Sequence, residues 1–168
     1  MPEKEVLISI SKKSRKFGAV VLTENRLIYY NQNWLATKWK SPEKTAAEIT
    51  AKLISTYRPT CLVTEQLTFK QQHIPSSIKA RQTILDVAKK NQLAIKEYSL
   101  SEARASLSSG IKATKDNVAR ILISRYPEFK RFRPNEAGWQ IAHYQPLFNA
   151  LTLGFHFFND KKDMSVTS

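Results

Sequence analysis

Thr60-Cys61-Leu62-Val63-Thr64-Glu65 is a short, almost unbroken apolar run that closes on an acid. A strand that faces water on one side alternates apolar and polar residues. This run has no polar side to offer, so it is expected as a parallel strand at the centre of a sheet with both faces covered. Helices supply such cover, and the segment therefore predicts an α/β layered fold.

The flanking sequence supplies the other elements. Residues 5–11, 17–23 and 26–35 read as three consecutive strands, with Thr23-Glu24-Asn25 as a tight turn and β-formers such as Ile28, Tyr29 and Tyr30 in the third. Strands this short and this close pair antiparallel. Ser41-Pro42-Glu43 then gives an N-cap, a first-turn proline and an early acid. Ala46, Ile49, Leu53 and Tyr57 follow at helical steps before Pro59. A second helix is expected over 76–91, carrying Ile78, Leu85 and Ala88. A fifth strand follows over 93–98 and, after a polar stretch, a helix from Thr114 that buries Val118, Ile121 and Leu122. The last helix is expected over 136–158, with Ile141, Tyr144, Phe148, Leu151, Phe155 and Phe158 on its apolar side. Pro146 inside it must kink or split it. The expected architecture is one domain over 1–158, a five-stranded mixed sheet of three antiparallel and then parallel strands with helices on both faces. A polar, frayed tail over 159–168 completes the chain.

Charge narrows the choice of partner. Twenty-seven Lys and Arg against fourteen Asp and Glu leave +13, more than solubility needs, and neutralising phosphates releases condensed counterions whatever the base sequence. Nucleic acid is the expected ligand, DNA before RNA. No stretch of about 18 uncharged apolar residues occurs, the start lacks the apolar block of a secretory signal, and no basic amphipathic helix or lipidation signal points to a membrane. A cytoplasmic protein is expected. Cys61, the single cysteine, has no internal disulfide partner and is expected to pack as a small hydrophobe.

The element order, with a glycine after the first turn and an acid closing the fourth strand, resembles the ribonuclease H-like fold and, within it, the RuvC type of Holliday-junction resolvase. That family opens with a strand ending in Asp-Pro-Gly, a short turn, and Gly-x-Gly-Val. Here the run is Ser11-Lys12-Lys13, then Phe17-Gly18-Ala19-Val20. Its Ile-Glu-Gln is matched by Thr64-Glu65-Gln66. Its Gly-x-x-x-Ala-x-Lys is matched loosely by Gly110-Ile111-Lys112-Ala113-Thr114-Lys115. Its Asp-x-x-Asp-Ala-Leu is matched by Pro146-Leu147-Phe148-Asn149-Ala150-Leu151. The likeness spans residues 5–158.

Carried over position by position, the family's four metal-binding acids fall on Ser11, Glu65, Pro146 and Asn149, and only Glu65 is still an acid. Two-metal phosphodiester hydrolysis needs carboxylates to hold hard Mg²⁺ or Mn²⁺ near the scissile phosphate. Ser11 and Asn149 keep neutral oxygens; Pro146 keeps none. The resemblance therefore implies a cleft without catalytic acids and without a metal cofactor, in which Glu65 is a structural acid bonded to Ser11 or paired with a nearby lysine. The alternative is a rebuilt Mg²⁺ or Mn²⁺ site from Glu65, His143 and Asn149. His156 lies two helical turns beyond Asn149, while Asp86 and Asp116 are expected to face solvent on other helices.

Lys12, Lys13, Arg15 and Lys16 place four cations in five residues where the family has Pro-Gly, and are expected to bind phosphate. Phe69, beside Lys70, belongs to a loop that in the resolvase-like family lies over the substrate and offers a ring to unstacked bases. Lys79, Arg81, Lys112 and Lys115 would extend the track. The run from Arg125 to Arg133 interleaves aromatics with cations; it reads either as nucleic-acid surface or as a loop pinned by Phe129 and Phe132. The leading expectation is a protein that binds branched or structured DNA without cutting it. The alternatives are an active metal-dependent endonuclease and a non-catalytic subunit of an active nuclease. Resolvases of this type act as dimers, which makes a homodimer a further expectation.

Overall fold

A computed structural model describes residues 4–35, 39–133 and 142–167, with side chains described to residue 163. Three antiparallel strands, β1 (Leu7–Lys13), β2 (Lys16–Thr23) and β3 (Arg26–Trp34), are followed by α1 (Pro42–Tyr57), β4 (Cys61–Glu65), α2 (Pro75–Lys90) and β5 (Ala94–Tyr98). Then come α3 (Leu100–Leu107), α4 (Lys115–Arg125) and a long helix here called α5 (Gln145–Thr167). The sheet order is β3-β2-β1-β4-β5, with β4 parallel to both β1 and β5. The apolar run at 61–65 is thus an interior parallel strand, as its composition requires.

Alternation along β1 sends its side chains to two cores. Leu7 joins Val20, Val63, Leu122, Phe148 and Leu151 under α3, α4 and α5. Ile8 and Ile10 join Val21, Leu62, Ala46, Leu53 and Ile84 under α1 and α2. Ser9, on the α5 side and fully buried, donates its hydroxyl to Ala150 O at 2.6 Å, which removes the cost of burying it. Cys61 is buried with the apolar residues around it.

Gly18 fixes where α5 starts. A Cβ there would lie 2.4 Å from the backbone C and O of Pro146 and 2.5 Å from Leu147 N. Only a residue without a side chain lets β2 approach the beginning of the helix this closely.

Three sequence expectations change. Strand β1 runs on through Lys12 and Lys13, so the hairpin turn is Ser14-Arg15, with Ser14 at φ 56°. Pro146 is the second residue of α5 and sits in its first turn, where a missing N–H costs nothing; a turn at Tyr144 separates this helix from the helical residues 142–143, so the run is split at the proline as expected. The expected start at 136 and Ile141 lie outside the described residues. The expected frayed tail is helical through Thr167. The polar stretch before Thr114 contains α3, whose Ser99 N-cap accepts from Glu102 N at 3.4 Å. Ser99-Leu100-Ser101-Glu102 is a capping-box spacing, the signal that locates this helix in the sequence.

Candidate nucleic-acid interface

Ser11 and Glu65 meet at the carboxyl-terminal ends of neighbouring parallel strands, where α/β sheets open their clefts. Ser11 is fully buried and its Oγ donates to Glu65 Oε1 at 2.7 Å. Burial pushes the Glu65 carboxyl above the usual carboxylate range. The Ser11 hydroxyl, the Lys12 backbone N–H and the charges of Arg104 and Lys13 pull it partly back. The acid is therefore held by hydrogen bonds within a cationic surround.

Arg104, in the helix that the strand and helix periodicities pass over, is the residue the sequence reading missed. Its Nη2 donates to Asn149 Oδ1 at 2.7 Å. The same oxygen accepts from Gln145 Nε2 at 2.6 Å. Burial lowers the Arg104 pKa and the Glu65 carboxylate opposes this, so the two charges lie within electrostatic reach although the described residues show no direct ion pair between them. Lys115, first residue of α4, is lowered by burial and then by repulsion from Lys13 and Arg104. Cations from β1, α3 and α4 thus converge on the rim around Glu65.

The remaining positions divide. Lys12 is half-buried, with its pKa lowered by burial and raised again by Glu43, while Lys13 and Arg15 are exposed. Lys16 is held against the start of α5: its Nζ donates to His143 O at 3.1 Å, lies 3.4 Å from His143 Nδ1 and 5.6 Å from the Trp34 ring centre. His143 O also accepts from Gln32 Nε2 at 2.9 Å. Phe69 is 80% exposed, edge-on to His73 at 5.0 Å, with Lys70 exposed beside it. Lys79 and Lys112 are exposed. Arg81 is ion-paired with Glu97 of β5 and is committed to the fold.

The aromatic and basic run after α4 is a 3-10 helix over Pro127–Phe132, with Phe129 fully buried against Tyr30 and Phe148. Phe129 pins it to the core while Lys130 and Arg131 stay exposed, and Arg133 is buried against Asp116, which also pairs with Arg120 at 3.1 Å; Asp116 is not a free solvent acid. Asp86 is exposed and accepts from Gln82 at 2.7 Å. His156 bonds Ser106 Oγ through Nδ1 at 2.9 Å and stands edge-on to Tyr98. Among the described residues no helix is long and apolar enough to cross a membrane.

Three antiparallel strands, two parallel ones and helices on both faces define the RuvC-like ribonuclease H fold. Thermus thermophilus RuvC superposes with a TM-score of 0.72 at 15% identity, over 94% of this chain and 96% of that one. T. thermophilus RuvC in complex with a Holliday junction substrate gives 0.73 at 14%, over 94% and 96%. The fowlpox virus Holliday junction resolvase gives 0.56 at 12%, over 92% and 99%. No protein-family model and no curated protein matches the sequence.

Proposed function

We propose that this protein binds branched or structured DNA through the basic surface around Glu65 and does not cleave it. The observation that carries the reading is Arg104: a guanidinium fixed on Asn149 shares the cleft with the one remaining carboxylate. The donor set does not fit Mg²⁺ or Mn²⁺, which need several hard oxygen ligands at once. Asn149 Oδ1 already accepts two hydrogen bonds, the Ser11 hydroxyl is spent on Glu65, and Pro146 has no side-chain oxygen. Among the described residues no three His, Cys, Asp or Glu side chains are grouped to hold a metal, and His143 is engaged with Lys16.

A half-buried cation held in place favours phosphate where a carboxylate cluster would repel it. DNA is favoured as the ligand because two of the similar structures are resolvases named for the Holliday junction, one solved with that substrate. The test is a labelled four-way junction incubated with pure protein in Mg²⁺ or Mn²⁺. Retarded, salt-sensitive complexes and intact strands are expected. Specific nicking that disappears in Glu65→Ala would establish the endonuclease instead, and no retention at low salt would point to an interaction subunit.

A further inference from the structure

On the face opposite Arg104, a cavity of about 590 Å³ opens between the end of β1, the β4 to α2 connection and the first turns of α1 and α2. We propose that it takes a single unstacked nucleotide of the bound strand; the inference rests on the nucleic-acid reading above. Its lining mixes the aliphatic Leu67, Ile74 and Ile84 with polar and charged side chains, Lys13 and Arg15 among them. Neither cation pairs with a carboxylate among the described residues. The other charges at the cavity are balanced locally, Lys12 by Glu43 and Arg81 by Glu97. Ser76, Ser77 and Gln71 add hydroxyl and amide groups to the lining.

A slot of mixed aliphatic and hydrogen-bonding lining with an excess of cations at its edge suits a ligand with a flat, weakly polar body and one phosphate. A nucleobase on its backbone has that form. Glu65 also lines the cavity, and Lys13 belongs both to its mouth and to the cationic rim with Arg104 and Lys115. A strand whose phosphate lies at Lys13 is therefore placed to turn a base inward. Extruding a base costs a few kcal/mol in duplex and least where it is already unpaired, which ties the pocket to branch points and gaps. Among the described residues no aromatic side chain lines the cavity, so a base inside it packs on aliphatic groups, unlike one stacked on Phe69.

That difference gives the readout. A junction carrying 2-aminopurine at an unpaired branch position should brighten several-fold on binding, because the base leaves its stacked neighbours for a site without rings. Ser77→Phe, which fills the cavity and leaves every cation in place, should abolish the brightening while duplex affinity and the thermal melt stay unchanged. Independently of that variant, titrating wild-type protein with deoxyadenosine 5′-monophosphate should shift the Ile74 and Ile84 methyl NMR signals and leave Ile111 unmoved. Junction binding without brightening and without methyl shifts overturns the pocket and spares the DNA-binding reading. Absence of junction binding at low salt removes both.

Discussion

Arg104 Nη2 donates to Asn149 Oδ1 at 2.7 Å, joining α3 to α5 across the mouth of the cleft. The pair places a cation beside Glu65 that neither residue announces in the sequence. Arg104→Met should therefore weaken junction binding, lower its salt slope by about 1, and cost about 1.5–3 kcal/mol of stability as a charged hydrogen bond is lost. Arg104→Lys should recover the charge but only part of the affinity, because an ammonium is not held by a planar fork. Filter binding across a salt series and urea melts check both.

The hairpin makes a separate forecast. Replacing Lys12, Lys13, Arg15 and Lys16 together by Gln should reduce the salt slope by about 2–3, since each phosphate contact contributes roughly 0.9 and Lys16 is already engaged with His143. An unchanged slope would place the DNA elsewhere on the protein.

Glu65 sets a pH dependence whose sign is fixed by burial. Its folded pKa lies above the unfolded value, so between the two the folded protein holds more protons and stability falls as pH rises through that window. Glu65→Gln keeps an acceptor for Ser11 and removes the buried charge. The variant should be more stable than wild type at neutral pH and equal to it below about pH 4, where the ordinary carboxyl is protonated. Denaturant midpoints at the two pH values test this; a variant less stable at neutral pH would mean the surrounding cations outweigh burial.

Gly18→Ala should be among the most damaging single-methyl changes. The new Cβ meets backbone atoms of Pro146 and Leu147, which cannot rotate away. Overpacking of this kind costs about 1–3 kcal/mol or more, read as a fall in Tm of about 2–4 °C per kcal/mol for a chain of this size.

Ser99→Ala removes the N-cap of α3 and should cost about 1 kcal/mol. Because this helix carries Arg104, the substitution should also weaken junction binding. A change in stability alone would show that α5, through Asn149, suffices to hold the guanidinium.

Local patterns carried the sheet. The unbroken apolar run at 61–65, the alternating β1 and the Ser41-Pro42 cap each state an element and the face it buries, since burial is written into residue type at a period of two or near 3.6. The resemblance offered Ser11 or a nearby lysine as the partner of Glu65, and Ser11 is bonded to it. The basic aromatic run before residue 134 left two readings open, and the burial of Phe129 with Lys130 and Arg131 exposed matches the loop pinned by its aromatics, which composition could not decide because it does not say whether Phe129 faces solvent or core.

The charge of +13 and the layered fold were both legible along the chain. The convergence of Lys13, Arg104 and Lys115 was not, because it depends on distances between residues about 10 to 100 positions apart, set by helix packing and by the close approach at Gly18. Sequence periodicity reports which side of an element is buried. It carries no term for which charges from three elements come to lie near one carboxylate, and the proposed binding of phosphate rests on that arrangement.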